Sequence, residues 1–183
     1  REVIYGFRNE IIHGEDVRDR LMDIMEEVVV DKVTQYTTAD SERGDWKVRQ
    51  LADWVNLNFP IGMPEAEILK AADAGKEHPV AKSLFDGLSP AQFAVCNFIS
   101  EGVRKAYDIK ISFENPDALK EVERFTILSA IDRLWQEHLY EMDSLRYSIG
   151  LRGYGQRDPL IEYKAEAYKI FDDLMINIKT EIC

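Results

Sequence analysis

Three arginines, Arg146, Arg152 and Arg157, fall within residues 144–157 with no acidic residue among them. The formal net charge of the whole chain is -11, so this local excess of positive charge stands out. Leu151 and Tyr154 place apolar bodies between the charges, Gln156 adds an amide, and Gly150, Gly153 and Gly155 punctuate the run. The chemistry open to such a set is contact rather than bond-making. A tyrosine ring and a forked guanidinium are favoured where one surface meets another, and glycine admits backbone angles closed to other residues. A second arrangement is equally open from spacing alone: Tyr154 folds back and caps the chain's own core.

Nothing else in the chain gathers catalytic groups. There is no GxxxxGK[ST] phosphate loop. His13, His78 and His138 are scattered and form no HExxH or ExxH pair that would collect a metal. Glu137 and His138 are adjacent, and helix neighbours at i,i+1 do not face each other. Cys96 lies on an apolar face, where a buried structural thiol is expected, and Cys183 is the last residue. Two cysteines without metal-ligand spacing also predict no disulfide framework and hence a reducing compartment. The acidic balance argues against binding nucleic-acid phosphates. The longest uncharged run, residues 87–100, is too short to span a bilayer, and the charged first ten residues carry no leader pattern. With 45% hydrophobic and 31% charged residues, 183 residues suit one ordinary domain or two small ones.

The elements that would hold the 150–157 run are helices. Asn115-Pro116-Asp117 opens the longest of them. Its predicted apolar face is Val122, Phe125, Leu128, Ile131, Trp135, Leu139, Met142, Leu145 and Ile149, spaced three or four apart. Gly150 is expected to end it in a left-handed cap, which gives a rod of about 50 Å. Asp158 and Pro159 start the last helix, with Leu160, Tyr163, Ala167, Phe171, Leu174, Ile178 and Ile182 on one side. The two would pack antiparallel as a hairpin. Its eight connecting residues, more than a turn requires, predict a projecting tip. Trp135 reads as a large core residue or as an anchor for a neighbouring lobe. Neither helix is apolar all round, as a lipid-embedded helix would be.

Upstream, Ile4, Phe7, Ile11, Leu21, Ile24 and Val28 predict one helix from the start to about Val33, weakened at Gly6 and Gly14. No capping residue precedes Arg1, so the chain reads as beginning inside a helix and as a piece of a longer protein. Residues 35–44 are polar and turn-like. Shorter helices follow: residues 46–59, residues 64–74 closed by Gly75, and one opened by Ser89-Pro90 with Phe93, Cys96, Ser100, Val103 and Tyr107 on one face. Residues 109–113 alternate and predict a short extended link. The fold class is all-α: a long helix and an antiparallel two-helix hairpin, with a small helical lobe inserted. The expected division is 1–25, 26–115 and 116–183.

Residues 130–171, AIDRLWQEHLYEMDSLRYSIGLRGYGQRDPLIEYKAEAYKIF, resemble the end of the helical scaffold domain of the SecA family, the motor ATPases of bacterial preprotein translocation. Residues 1–16, REVIYGFRNEIIHGED, resemble the C-terminal part of that family's long scaffold helix. The segment between them occupies the place of the helical wing domain, with PIGMPEAEIL and SPAQF in loose agreement. The resemblance implies that residues 116–183 form the two-helix finger, which enters the cytoplasmic opening of the SecY channel complex. It implies that Leu151, Arg152, Gly153, Tyr154, Gly155, Gln156 and Arg157 form the tip that touches an unfolded preprotein. It further implies a cytoplasmic location at the inner-membrane face, and ATP and magnesium bound by other domains of the parent motor. With no motor motifs of its own, this segment is expected to hold no cofactor and to hydrolyse no ATP. Faces that would meet those domains leave a homodimer open. Composition and periodicity also leave open a stand-alone helical interaction or regulatory module without catalytic activity, and give an all-α enzyme little weight.

Overall fold

Seven α-helices make up the regular structure of the computed structural model, which describes residues 1–37, 45–77, 87–152 and 158–183. In chain order they are α1 Glu2–His13, α2 Val17–Tyr36, α3 Val48–Asn58, α4 Glu65–Glu77, α5 Pro90–Ile111, α6 Pro116–Arg152 and α7 Pro159–Ile182. No strand occurs among the described residues. The fold is all-α. The chain divides into two compact units, one of residues 1–21 and 120–183, the other of residues 22–119.

The first unit is built on α6. Its 37 residues rise over about 55 Å. Arg133 reaches Glu181 (2.6 Å), and the His138 ring meets Phe171 (6.0 Å between centroids). Position falls along α7 as it rises along α6, so the two helices are antiparallel. On α1, Tyr5 meets Trp135 (6.4 Å) and Arg8 pairs with Asp132 (2.8 Å), which makes α1 antiparallel to α6 as well. Ile4 and Ile11 of α1, Ile127 and Ile131 of α6, and Ile178 of α7 are fully buried in this bundle. Each such side chain contributes about 1.5–3 kcal/mol through area removed from water.

Three readings of this region need correction. The first helix is two helices. Gly14 turns extended (φ -66, ψ 137) and its N–H still reaches Glu10 O. The long helix does not stop at Gly150: it continues through Leu151 and Arg152, so Gly150 is no left-handed cap. The apolar face of α6 is also displaced over its first turns. Val122 and Phe125 are 60% and 72% exposed, while Ile127, Ala130 and Ile131 are buried. The buried stripe passes through Glu123, whose side chain is 3% exposed and paired with Arg18 at 2.9 Å. That ion pair lets a carboxylate occupy a core-facing position.

In the second unit, Val48, Leu51, Val55 and Phe59 are buried as their spacing predicts. Phe59 meets Trp54 edge-on. The Asn56 side chain closes a two-bond ring with Met63, donating to its O (2.8 Å) and accepting from its N–H (2.6 Å). This pins the Pro60–Met63 turn against α3. Ser89 caps α5 in a full capping box with Gln92. The buried Gln92 amide also donates to Thr37 Oγ1 at 2.9 Å. Gly75 lies within α4 rather than ending it, and a Cβ there would stand 2.5 Å from Ala94 Cβ and from Pro90 O. Glycine is what lets α4 and α5 approach. The expected extended link at residues 109–113 is instead the end of α5, with Ser112 as its helical C-cap. Of the polar stretch at residues 35–44, residues 35–36 finish α2, and residues 38–44, like His78, lie outside the described residues.

Candidate functional site

The hairpin's connection has two defined feet. On one side Leu151 and Arg152 form the end of α6. On the other, Asp158 is the N-cap of α7: its Oδ1 accepts the Leu160 N–H at 2.9 Å, and Pro159 occupies the first turn. Aspartate suits this place, because its carboxylate satisfies an orphan amide and faces the positive end of the helix dipole. Gly153, Tyr154, Gly155, Gln156 and Arg157 lie outside the described residues. α6 and α7 are thus six residues apart in sequence, residues 153–158, against eight for a helix ending at Gly150.

Burial changes along the hairpin. At its base Leu174, Ile178 and Ile182 of α7 are buried. Towards the connection Leu160 and Ile161 are exposed, as are Tyr147 on α6 and Tyr168 on α7, whereas Leu145 and Ile149 stay covered. Arg146 is exposed as well. The shaft near the tip thus offers aromatic and aliphatic surface beside a cation, which is contact chemistry.

Trp135 is half-buried rather than a fully enclosed core residue. Its indole stacks on the His138 imidazole (5.1 Å, 23°) and meets Tyr5 edge-on. Tyr5, Trp135, His138 and Phe171 form an aromatic chain from α1 through α6 to α7. Trp135 therefore joins α1 to α6, and His138 carries the chain of rings on to α7. His138 is the residue that the sequence undervalued. It is 7% exposed, and its Nδ1 is buried with no hydrogen-bond partner among the described residues. Burial holds its pKa below the ordinary 6.5, with Glu141 pulling the other way. The i,i+3 spacing of Trp135 and His138 was the available signal.

Other titratable candidates are chemically quiet. Burial, aided by nearby Glu26, pushes the Cys96 thiol up to about 12, and burial does the same for Cys183. Neither is a thiolate at neutral pH. Among the described residues no group of three or more His, Cys, Asp or Glu could hold a metal ion. No helix among them is long and apolar enough to cross a membrane.

The model of the SecA wing and scaffold domain matches residues 1–183. The chain belongs to the SecA family. The protein translocase subunit SecA of Trichormus variabilis is 36% identical over 185 aligned residues, covering all of this chain and 18% of that protein. The SecA subunits of a Nostoc species and of Crocosphaera subtropica are 36% and 37% identical, with the same coverage. The chain thus spans 18% of the length of these SecA relatives. The SecA match runs through both compact units.

Proposed function

We propose that this chain is the wing-and-scaffold part of an ATP-driven motor that pushes preproteins through the SecY channel. In this reading residues 1–21 and 120–183 are the scaffold and residues 22–119 the wing. The α6–α7 hairpin is the finger that presents Leu151, Arg152, Gly153, Tyr154, Gly155, Gln156 and Arg157 to the channel mouth and to the unfolded chain. The observation that carries this reading is the hairpin itself: two antiparallel helices tied at the base by Arg133–Glu181 and at mid-shaft by His138–Phe171, with both feet of the connection set by helix ends.

A tyrosine at the tip suits the task. Its ring can rest on many sequences through apolar area, without a fixed pattern of hydrogen bonds. The motor would work at the cytoplasmic face of the inner membrane. ATP and magnesium would be held by other domains of the parent. The scaffold's part is mechanical: it holds the hairpin and joins it to those domains.

The test is Tyr154→Ala in a full-length SecA carrying this segment. Translocation should fall several-fold, while unfolding free energy stays within about 0.5 kcal/mol, as for an exposed substitution. Equal loss of activity and stability would instead place the ring in the hairpin's own core.

A further inference from the structure

The break between α1 and α2 is permitted by Gly14 and held from outside by α6. No proline lies between His13 and Val17. Gly14 already has a helical φ of -66, and its ψ of 137 is what departs from a helix. A Cβ at this position would lie 2.5 Å from Glu10 O, so the bent form needs glycine.

Arg124 of α6 fills the gap. Its Nε donates to Ile11 O and its Nη2 to Gly14 O, both at 3.1 Å. Glu121 steadies the guanidinium at 2.8 Å. In an unbroken helix those two carbonyls would accept the N–H groups of Glu15 and Arg18, four residues on. Arg124 therefore occupies acceptors that a continuous helix would use. The next residue back, Glu123, holds Arg18 at 2.9 Å, while Asp132 holds Arg8 of α1. Both sides of the break are gripped by one helix.

We propose that the α1–α2 junction is a two-state joint, held bent by Arg124 and Glu123, whose other state is one continuous helix over residues 2–36. Two arrangements of one segment, each satisfying the same carbonyls, are the kind of element that a change in contacts can bias. The α2 helix carries the chain into the second unit, so the state of the joint sets the first turn of that connecting helix. This inference stands apart from the translocation reading and does not rest on it.

The test is NMR exchange (relaxation dispersion and saturation transfer) at residues 14–18 of the full chain. Three variants are compared with the parent: Gly14→Ala, Arg124→Met and the two combined. Gly14→Ala leaves the Arg124 clamp in place and should raise a minor state at least about fivefold, because alanine favours the helix and its Cβ crowds Glu10 O in the bent form. Arg124→Met should raise it about tenfold through loss of charge-assisted bonds. The minor-state shifts at Glu15 and Arg18 should be helical, and α6 amides should stay protected. No helical minor state in the double variant would overturn the proposal. So would coil-like shifts spreading through residues 4–11, which would mean that α1 frays rather than joins. Should Arg124→Met fail to fold, Gly14→Ala decides alone by the same shifts.

Discussion

The Trp135 indole lies on the His138 imidazole, ring centroids 5.1 Å apart and planes 23° from parallel. The imidazole is buried, and its Nδ1 has no partner among the described residues, so a proton there would be poorly solvated. Burial accordingly holds its pKa below 6.5.

Stability should therefore depend on His138 in acid. In the unfolded chain the group titrates near its ordinary pKa, above the folded value. Its contribution is fully present above about pH 6.5 and is lost as pH falls through the folded pKa, because the unfolded state takes up the proton first. Urea unfolding at pH 7.5 and 5.5 checks this. The parent should lose more stability over that interval than His138→Leu, and equal losses would remove His138 as the cause.

Truncating Trp135 should cost less than its size suggests. A fully enclosed aromatic loses about 3–5 kcal/mol on replacement by alanine, but this indole is half-buried. Trp135→Ala should cost about 2 kcal/mol, while Ile131→Ala, one turn away and fully buried, should cost about 3 kcal/mol. Denaturant midpoints give the order directly, and the reverse order would mean that the indole carries more of the bundle than its exposure indicates.

Two helix-interior glycines should respond with opposite signs. A Cβ on Gly6 meets nothing within 4 Å, so Gly6→Ala should stabilise by up to about 1 kcal/mol. Gly75→Ala drives a Cβ against Ala94 and the Pro90 carbonyl, and should destabilise by about 1–3 kcal/mol. Thermal melts of the two variants separate these outcomes, and a Gly75→Ala variant that melts no lower than the parent would contradict the close α4–α5 approach.

What the sequence made legible was mostly local. Ser89-Pro90, Asn115-Pro116 and Asp158-Pro159 announce helix starts because a side chain satisfies nearby amides, and all three open helices. What stayed hidden depended on distant partners. Gly6, Gly14, Gly75 and Gly150 look alike in sequence, yet only Gly14 ends a helix, where Arg124 waits 110 residues away. The core stripe of α6 departs from the apolar pattern at Val122 and Phe125 because Glu123, paired with Arg18, takes the inward position. At the candidate site the Asp158-Pro159 foot was legible, whereas the glycine signal at Gly150 was not a helix end, since α6 runs two residues beyond it. Residues 153–157 lie outside the described residues.

The most direct measurement is site-specific crosslinking from the tip. In a full-length SecA carrying this segment, Cys96 and Cys183 are replaced and a single cysteine is placed at position 154. Control cysteines go at the exposed shaft positions 140 and 168. A preprotein bearing its own cysteine is then stalled in the SecY channel. Position 154 should form a disulfide with the stalled chain or the channel more readily than either shaft position. Silence at 154 and at both controls would contradict the finger assignment and leave the hairpin as an internal structural element.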